Sequence, residues 1–400
     1  MVCISPIESG NTISNNLIGT SLGPFIGGAL TQHVSWSWIF YINLPIVGAS
    51  LILLVLYLHV DYKPDKLSVQ LKRVDWLGNG LLILSVIAIL LALTWGGTTH
   101  PWSSWRTVLP LVLGFLGMIA FFIFEASSYV KEATMPLHLF SNRTSASVYA
   151  ITFLHSVITY WVVYYLPVYF QAVLEASPTA SGVDLLPTAV ASIPFAIISG
   201  VAITKMSKYR PSHFVSLTLI VVGLGLLTRL DKHTSVAYWV IIQILVSAGL
   251  GIMVTATLPA IQAPLEEKDV ATSTATWAFL RSFGAIWGAA IPTSVFNTRI
   301  NVLLPNISSQ PIRELLKNGG AYSLASKDFI TSLNGTLEIK EQVVQTYVDA
   351  LKLVWQVSIA FGLLGFIIAF FVKEIPMREV LDTEFGITEK KKEPESGESV

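Results

Sequence analysis

Long apolar stretches are the feature of this 400-residue sequence that most restricts its fold. Ten of them reach the length, roughly 20 residues, that a helix needs to cross a lipid bilayer. Hydrophobic residues make up 53% of the chain and charged residues 12%, whereas soluble domains carry about 25% charged residues. We therefore predict an all-α polytopic membrane protein. The predicted spans are Ile13–Leu30, Ile39–Leu58, Trp76–Leu93, Val108–Phe124, Ser147–Tyr169, Val183–Ile203, Phe214–Leu230, Val236–Leu258, Thr272–Val295 and Leu351–Val372.

The loops between these spans differ in positive charge. Loops after even-numbered spans carry ten lysine and arginine residues, namely Lys63, Lys66, Lys72, Arg73, Lys131, Arg143, Lys205, Lys208, Arg210 and Lys268. Short loops after odd-numbered spans carry Arg106, Arg229 and Lys232. Because positively charged loops stay in the cytoplasm, we expect the first span to run from the cytoplasm outward.

This orientation places the polar segment 298–350 outside as a loop. It contains two glycosylation sequons, which start at Asn306 and Asn334 and are candidate modification sites. A third sequon, at Asn142, falls on the cytoplasmic side and is expected to remain unmodified. Asp75 directly precedes the third span, where a carboxylate is a good helix N-cap.

The first span contains the sequence G-T-S-L-G-P-F-I-G-G. Gly19, Gly23 and Gly27 recur every four residues and therefore share one face of a helix. A face without side chains allows close approach of another helix, and Pro24 bends the helix that carries it. The pattern is compatible with a kinked, tightly packed helix or with a pivot or seal between moving bundles.

This glycine pattern resembles the antiporter motif, motif C, in the fifth helix of drug:proton antiporters of the major facilitator superfamily. The resemblance is carried by Gly19, Gly23, Pro24, Gly27 and Gly28. The run W-S-W-I-F-Y-I-N-L-P that follows is similar to the fourteen-helix branch, particularly in fungi. The resemblance implies a major facilitator type bundle that exports amphipathic organic compounds by alternating access, in exchange for protons.

The resemblance also implies a domain layout, in which the chain carries helices five to fourteen and is N-terminally truncated by four helices. Residues 1–60 are then the last two helices of the N-terminal bundle, and residues 61–140 hold two linker helices and cytoplasmic loops. Residues 141–374 form the C-terminal six-helix bundle, and residues 375–400 form a cytoplasmic tail. The segment Gly200–Arg210 is similar to a degenerate cytoplasmic signature of the family that lacks its aspartate.

In this family the first and fourth helices of each bundle line the central cavity, which implies spans five and eight here. The resulting candidate cavity residues are His155, Thr159, Tyr160, Tyr164, Gln243 and Ser247. Aromatic rings and scattered hydroxyl groups suit loosely held amphipathic compounds. Alternatively, His155 forms a hydrogen bond to a neighbouring helix.

Arg281 is a charge within the ninth span, followed at helical spacing by Gly284 and Gly288. Charged residues inside a membrane are costly and are functional candidates. Arg281 could pair with a carboxylate or an anionic substrate, or its side chain could extend to the cytoplasmic interface. No span has an aspartate or glutamate near its middle, so the coupling ion is not assigned.

Other functional classes are disfavoured. The sequence has no H-E-x-x-H or Walker A motif, and its G-x-S-x-G match at Gly19–Gly23 lies within an apolar span rather than at a strand-to-helix elbow, so we expect neither an enzyme nor an ATP-driven pump. Its single cysteine, Cys3, excludes a cysteine-based metal site, and we expect no metal or cofactor. A formal net charge of zero suggests no nucleic-acid partner. The expected partners are a small-molecule substrate, protons and the lipid bilayer, in the plasma membrane rather than the vacuole.

Three alternatives remain open from sequence. The chain could be a truncated family member that does not transport, such as the product of a gene fragment or pseudogene. It could serve as a membrane scaffold or sensor. Within the superfamily, a siderophore or sugar carrier is the nearest alternative to a drug antiporter.

Overall fold

The computed structural model describes residues 23, 26–57, 74–97, 99–127 and 135–376. These residues form helices and connecting turns, and no β-strand occurs among them. A helical stretch covers residues 26–33. The numbered helices are α1 (Trp38–Tyr41), α2 (Asn43–Tyr57), α3 (Trp76–Trp95), α4 (Trp105–Glu125), α5 (Arg143–Ala172), α6 (Pro178–Asp184), α7 (Leu186–Met206), α8 (Arg210–Leu227), α9 (Val236–Gln262), α10 (Val270–Leu303), α11 (Gln310–Leu316), α12 (Gly320–Ser323), α13 (Lys327–Ser332) and α14 (Leu337–Ala369).

Eight helical stretches within the described part of the chain are long and apolar enough to cross a membrane. They correspond to predicted spans two to eight and to span ten. The ninth predicted span lies within α10, which is 34 residues long but is not among these eight. Its polar and small residues lower its hydropathy. The first predicted span, Ile13–Leu30, lies largely outside the described residues.

Helices α5, α7, α8, α9, α10 and α14 pack together and form what we call the main bundle. Its core is rich in large aromatic side chains, including the fully buried Trp161 and Trp355. Polar side chains from three helices also donate hydrogen bonds to one turn of α9. These bonds run from His155 to Leu250 O (3.0 Å), from Ser216 to Gly249 O (2.7 Å) and from Ser199 to Ile252 O (3.3 Å).

Helices α3 and α4 form an antiparallel pair beside the main bundle, and α3 contacts α10. Asp75 accepts a hydrogen bond from the backbone N–H of Gly78 at 2.9 Å, which confirms the predicted N-cap. Most large apolar side chains on the outer faces of this pair are exposed, as expected for surfaces that contact lipid.

Residues 304–336, between α10 and α14, form a compact segment that we call the outer cap. The polar segment 298–350 was expected to be a loop, but α10 extends into its beginning and α14 starts at Leu337. Inside the cap, Ile307, Leu316 and Ile330 are fully buried. These apolar residues have no regular spacing, which explains why the sequence pattern predicted a loop here.

The outer cap is attached to the main bundle by ring contacts and polar bonds. The Tyr322 ring lies 5.7 Å from the ring of Tyr165 on α5, and the Tyr347 hydroxyl donates to Ala321 O at 2.6 Å. Burial raises the pKa of the Tyr322 hydroxyl, so this ring is neutral at physiological pH. The ion pairs Lys340–Glu175 (2.6 Å) and Lys232–Glu341 connect the start of α14 to two other outer loops.

Candidate functional site

The close crossing of α5 and α10 positions the candidate site. A Cβ atom added at Gly284 would lie 2.6 Å from Phe153 O, and one added at Gly288 would lie 2.5 Å from Val157 O. These backbones therefore approach so closely that a side chain has no room. In addition, Ser156 Oγ donates to the carbonyl of Arg281 at 2.6 Å. The small-residue face predicted for the ninth span is thus an interhelical contact.

An open cavity of about 460 Å³ lies next to this crossing. Residues from α3, α5 and α10 line it. They are Leu90, Leu93, Thr94, Tyr160, Tyr164, Ala285, Ile286, Ala289, Ala290 and Thr293. The wall is mostly apolar, with two phenol groups and two threonine hydroxyls, which suits an amphipathic organic molecule. No carboxylate occurs among these lining residues.

Two tyrosines form the aromatic part of the wall. Tyr160 and Tyr164 lie one turn apart on α5, with ring centroids 6.1 Å apart and planes at 35°. Their side chains are 38% and 42% exposed, unlike most aromatic residues of α5. Both were predicted as cavity residues, and the structure places them together on one open surface.

The other predicted cavity residues lie inside the main bundle. His155 is buried and its Nε2 is 3.0 Å from Leu250 O, so the structure favours the interhelical hydrogen bond for this residue. Thr159 Oγ1 donates to His155 O at 2.8 Å within α5. Buried Gln243 accepts a hydrogen bond from Thr188 Oγ1 at 2.8 Å. Ser247, one turn after Gln243 on α9, is fully buried. None of these four lines the cavity described above.

Arg281 lies on α10, outside the residues that line the cavity. It precedes Ala285 by one helical turn, and Arg281, Ala285, Ala289 and Thr293 recur every four residues along one stripe of α10. Its guanidinium carbon is 4.7 Å from the centroid of the Trp277 ring, so the side chain extends back toward the start of α10. Arg281 forms no ion pair with any residue that the structure describes.

The described part of the glycine motif contacts α6, the short helix that connects α5 and α7. A Cβ atom added at Gly28 would lie 2.5 Å from Pro178 O, in the first turn of α6. Beside it, Gln32 Oε1 accepts a hydrogen bond from Thr179 N at 3.1 Å. Positions Gly23 and Gly27 have nothing within 4 Å of an added Cβ. Gly19 and Pro24 lie outside the described residues.

Several cavity residues were not identified from sequence. Three of them, Leu90, Leu93 and Thr94, come from α3. No sequence pattern identifies them, because leucines that face lipid and leucines that face protein cannot be distinguished from sequence. The α10 residues Ala285, Ala289 and Ala290 could have been found, since they neighbour Gly284 and Gly288 on a helix of small residues.

Comparisons with known proteins agree with this architecture. A sequence profile described as Major Facilitator Superfamily matches residues 14–289. The chain is 51% identical over 374 residues to a protein named MFS-type efflux pump LUC4 from Fusarium sp, covering 93% of this chain and 66% of that protein. It is 50% identical over 375 residues to Efflux pump FUS6 from Gibberella fujikuroi, covering 94% and 68%.

A third relative, MFS-type transporter gkaD from Penicillium citrinum, is 49% identical over 384 residues, which cover 96% of this chain and 65% of that protein. The chain therefore spans about two thirds of the length of the curated relatives that it matches.

Proposed function

This chain belongs to the Major Facilitator Superfamily, and we propose that it acts in a membrane transporter that exports amphipathic organic compounds by alternating access. The observation that carries this proposal is the cavity between α3, α5 and α10, whose exposed tyrosines and apolar wall suit such compounds. The names of its relatives, two of which are called efflux pumps, support export as the direction of transport.

We assign the chain to the fourteen-helix branch, with the main bundle as the C-terminal bundle and α3 and α4 as the two linker helices. The order of the helices supports this assignment, because α3 and α4 pair with each other beside the bundle. We further propose that protons drive transport and that the protein resides in the plasma membrane. The motif that resembles the antiporter motif supports the proposal that protons drive transport.

In this proposal, residues 26–33 belong to a seal that closes when the two bundles meet at their outer ends. The contact of Gly28 with Pro178 O supports this role, because it joins the glycine motif to α6, the short helix that connects α5 and α7 of the main bundle. A seal of this kind requires backbone-to-backbone contact, which a larger side chain prevents.

Transport by the full chain in lipid vesicles tests the proposal. We expect an imposed pH gradient to drive a fluorescent amphipathic dye across the membrane. Replacing Gly28 with leucine should reduce the rate by about tenfold or more, because overpacking a close contact commonly costs 1–3 kcal/mol. Stopped-flow fluorescence measures the rate.

Gly48→Leu on α2 is the matched control, because the same side chain meets open space outside the glycine motif. We expect it to retain near-normal transport. Equal loss in both variants would contradict the proposed seal at Gly28. Dye that binds to the chain but crosses the vesicle membrane no faster than without protein, with or without the gradient, would contradict transport by this chain and favour a binding role.

Glycosylation gives an independent test of the proposed orientation. Asn306 and Asn334 are exposed in the outer cap, whereas Asn142 Oδ1 accepts a hydrogen bond from Thr144 N at 2.8 Å as the N-cap of α5. We expect Asn306→Gln and Asn334→Gln each to remove one endoglycosidase-sensitive gel shift after expression in a eukaryotic host. Asn142→Gln should remove none, and a shift that depends on Asn142 would reverse the orientation.

A further inference from the structure

A basic groove lies at the start of α8, at the end of the main bundle opposite the outer cap. Its volume is about 450 Å³, and its lining residues are Lys208, Arg210, Pro211, Phe214 and Glu374. Lys208 and Arg210 are exposed and form no ion pair with any described residue. Within the described part of the chain, the groove therefore presents at its rim two cations that form no ion pair.

The carboxylate in the groove is already engaged. Glu374 Oε1 accepts a hydrogen bond from Tyr209 N at 2.9 Å, and Oε2 accepts one from Arg210 N at 3.1 Å. Tyr209 is fully buried, and its hydroxyl donates to Lys373 O at 2.8 Å. Burial raises the pKa of this hydroxyl to about 12, so it stays a donor at physiological pH. Glu374 thus holds the chain after α14 against α8 and leaves the lysine and arginine heads available.

One wall of the groove is aromatic and continues to the lipid-facing surface. The Arg210 guanidinium carbon is 5.6 Å from the centroid of the Phe214 ring. That ring in turn contacts Phe370 at 5.1 Å, and Phe370 is 56% exposed. A cation above rings that continue into an exposed apolar surface matches a ligand with an anionic head and an apolar chain.

The length of α8 fixes the depth of this groove in the membrane. The helix has 18 residues and is therefore about 27 Å long, close to the thickness of the bilayer hydrocarbon. Its first residue, Arg210, must then lie in the layer of lipid head groups. The charge distribution of the loops predicts that this layer belongs to the cytoplasmic leaflet, which carries anionic lipids.

We propose that the basic groove binds an anionic phospholipid, with its phosphate between Lys208 and Arg210 and an acyl chain along Phe214 and Phe370. The assignment follows from charge complementarity and from the position of the groove at the membrane surface. It does not depend on the transported compound.

Native mass spectrometry of the purified full chain in detergent tests this site, with phosphatidylserine and phosphatidylcholine of identical acyl chains added in equal amounts. We expect preferential retention of phosphatidylserine. The double variant Lys208→Gln/Arg210→Gln should lower this preference on the order of tenfold, as expected for two cations at a membrane surface. Lys317→Gln/Lys327→Gln in the outer cap removes the same charge and should leave the preference unchanged.

Two further measurements distinguish a bound phospholipid from a free anion in the groove. Phe214→Ala should shorten retention of phosphatidylserine, and excess inorganic phosphate should displace it incompletely. Complete displacement by phosphate together with an unchanged Phe214→Ala variant would mean that the groove takes a free anion, which overturns the lipid assignment. Equal loss in both double variants, or equal retention of both lipids by the unaltered chain, would overturn it as well. Thermal unfolding of each variant verifies that the comparison is between folded proteins.

Discussion

Replacing Gly288 with leucine is expected to separate α5 from α10 and to abolish compound binding. Even a Cβ atom at this position would lie 2.5 Å from Val157 O and 2.9 Å from Tyr160 Cβ. The clash involves backbone, so no rotamer change relieves it. We expect a loss of about 3 kcal/mol, the upper part of the usual range for overpacking. The unfolding midpoint in detergent should then fall by about 4 °C, since the entropy of unfolding of a 400-residue chain is large.

The matched control is Gly225→Leu on α8, where nothing lies within 4 Å of an added Cβ. Its unfolding midpoint should stay within about 2 °C of the unaltered chain, because surface substitutions usually change stability by less than 0.5 kcal/mol. If Gly288→Leu unfolds at the same temperature as the control and still binds dye, the close crossing is not what supports the cavity.

Removing both exposed tyrosines is expected to have the largest effect on binding without unfolding the protein. Tyr160 and Tyr164 supply the aromatic rings among the residues that line the cavity. Alanine at both positions removes ring contacts worth about 1 kcal/mol each beyond the area that they cover. Dye affinity, measured by fluorescence anisotropy in detergent, should fall by tenfold to roughly a hundredfold.

Two variants make this result interpretable. Tyr160→Phe/Tyr164→Phe keeps the rings and should retain most of the affinity for apolar dyes, while it loses affinity for compounds that need the hydroxyls. Tyr41→Ala removes an exposed tyrosine outside the cavity and should have no effect. Unaltered affinity in the double alanine variant would place compound binding elsewhere in the chain.

The helices of this protein could be predicted because their length and apolarity are imposed by the bilayer. Within the described part of the chain, the predicted spans agree with helices, and Asp75 caps α3 as expected. Gly284 and Gly288 also indicated a close helix crossing. Each of these features depends on local sequence alone, which explains why local sequence was sufficient.

The sequence could not predict in the same way which side chains of a helix meet a neighbouring helix and which face the cavity. A hydroxyl, an amide or an imidazole inside a bundle can bind a substrate or a neighbouring helix. Gln243 bonds to Thr188 and His155 bonds to Leu250 O, whereas Tyr160 and Tyr164 face the cavity. Tyrosine occurs in both roles, since Tyr169 on the same helix is buried and donates to Asp231 O at 2.9 Å. The choice depends on helix rotation within the bundle.

The outer cap has a mechanical consequence for the main bundle. Glu175 follows α5, Lys232 follows α8, and both form ion pairs with the start of α14, while Tyr322 packs on α5. The outer ends of these helices are therefore tied to a common crosspiece and cannot spread apart one at a time. Any opening toward the outside must therefore move the outer ends of α5, α8 and α14 together, and the flexibility needed for that motion must come from the connections that lead into the bundle.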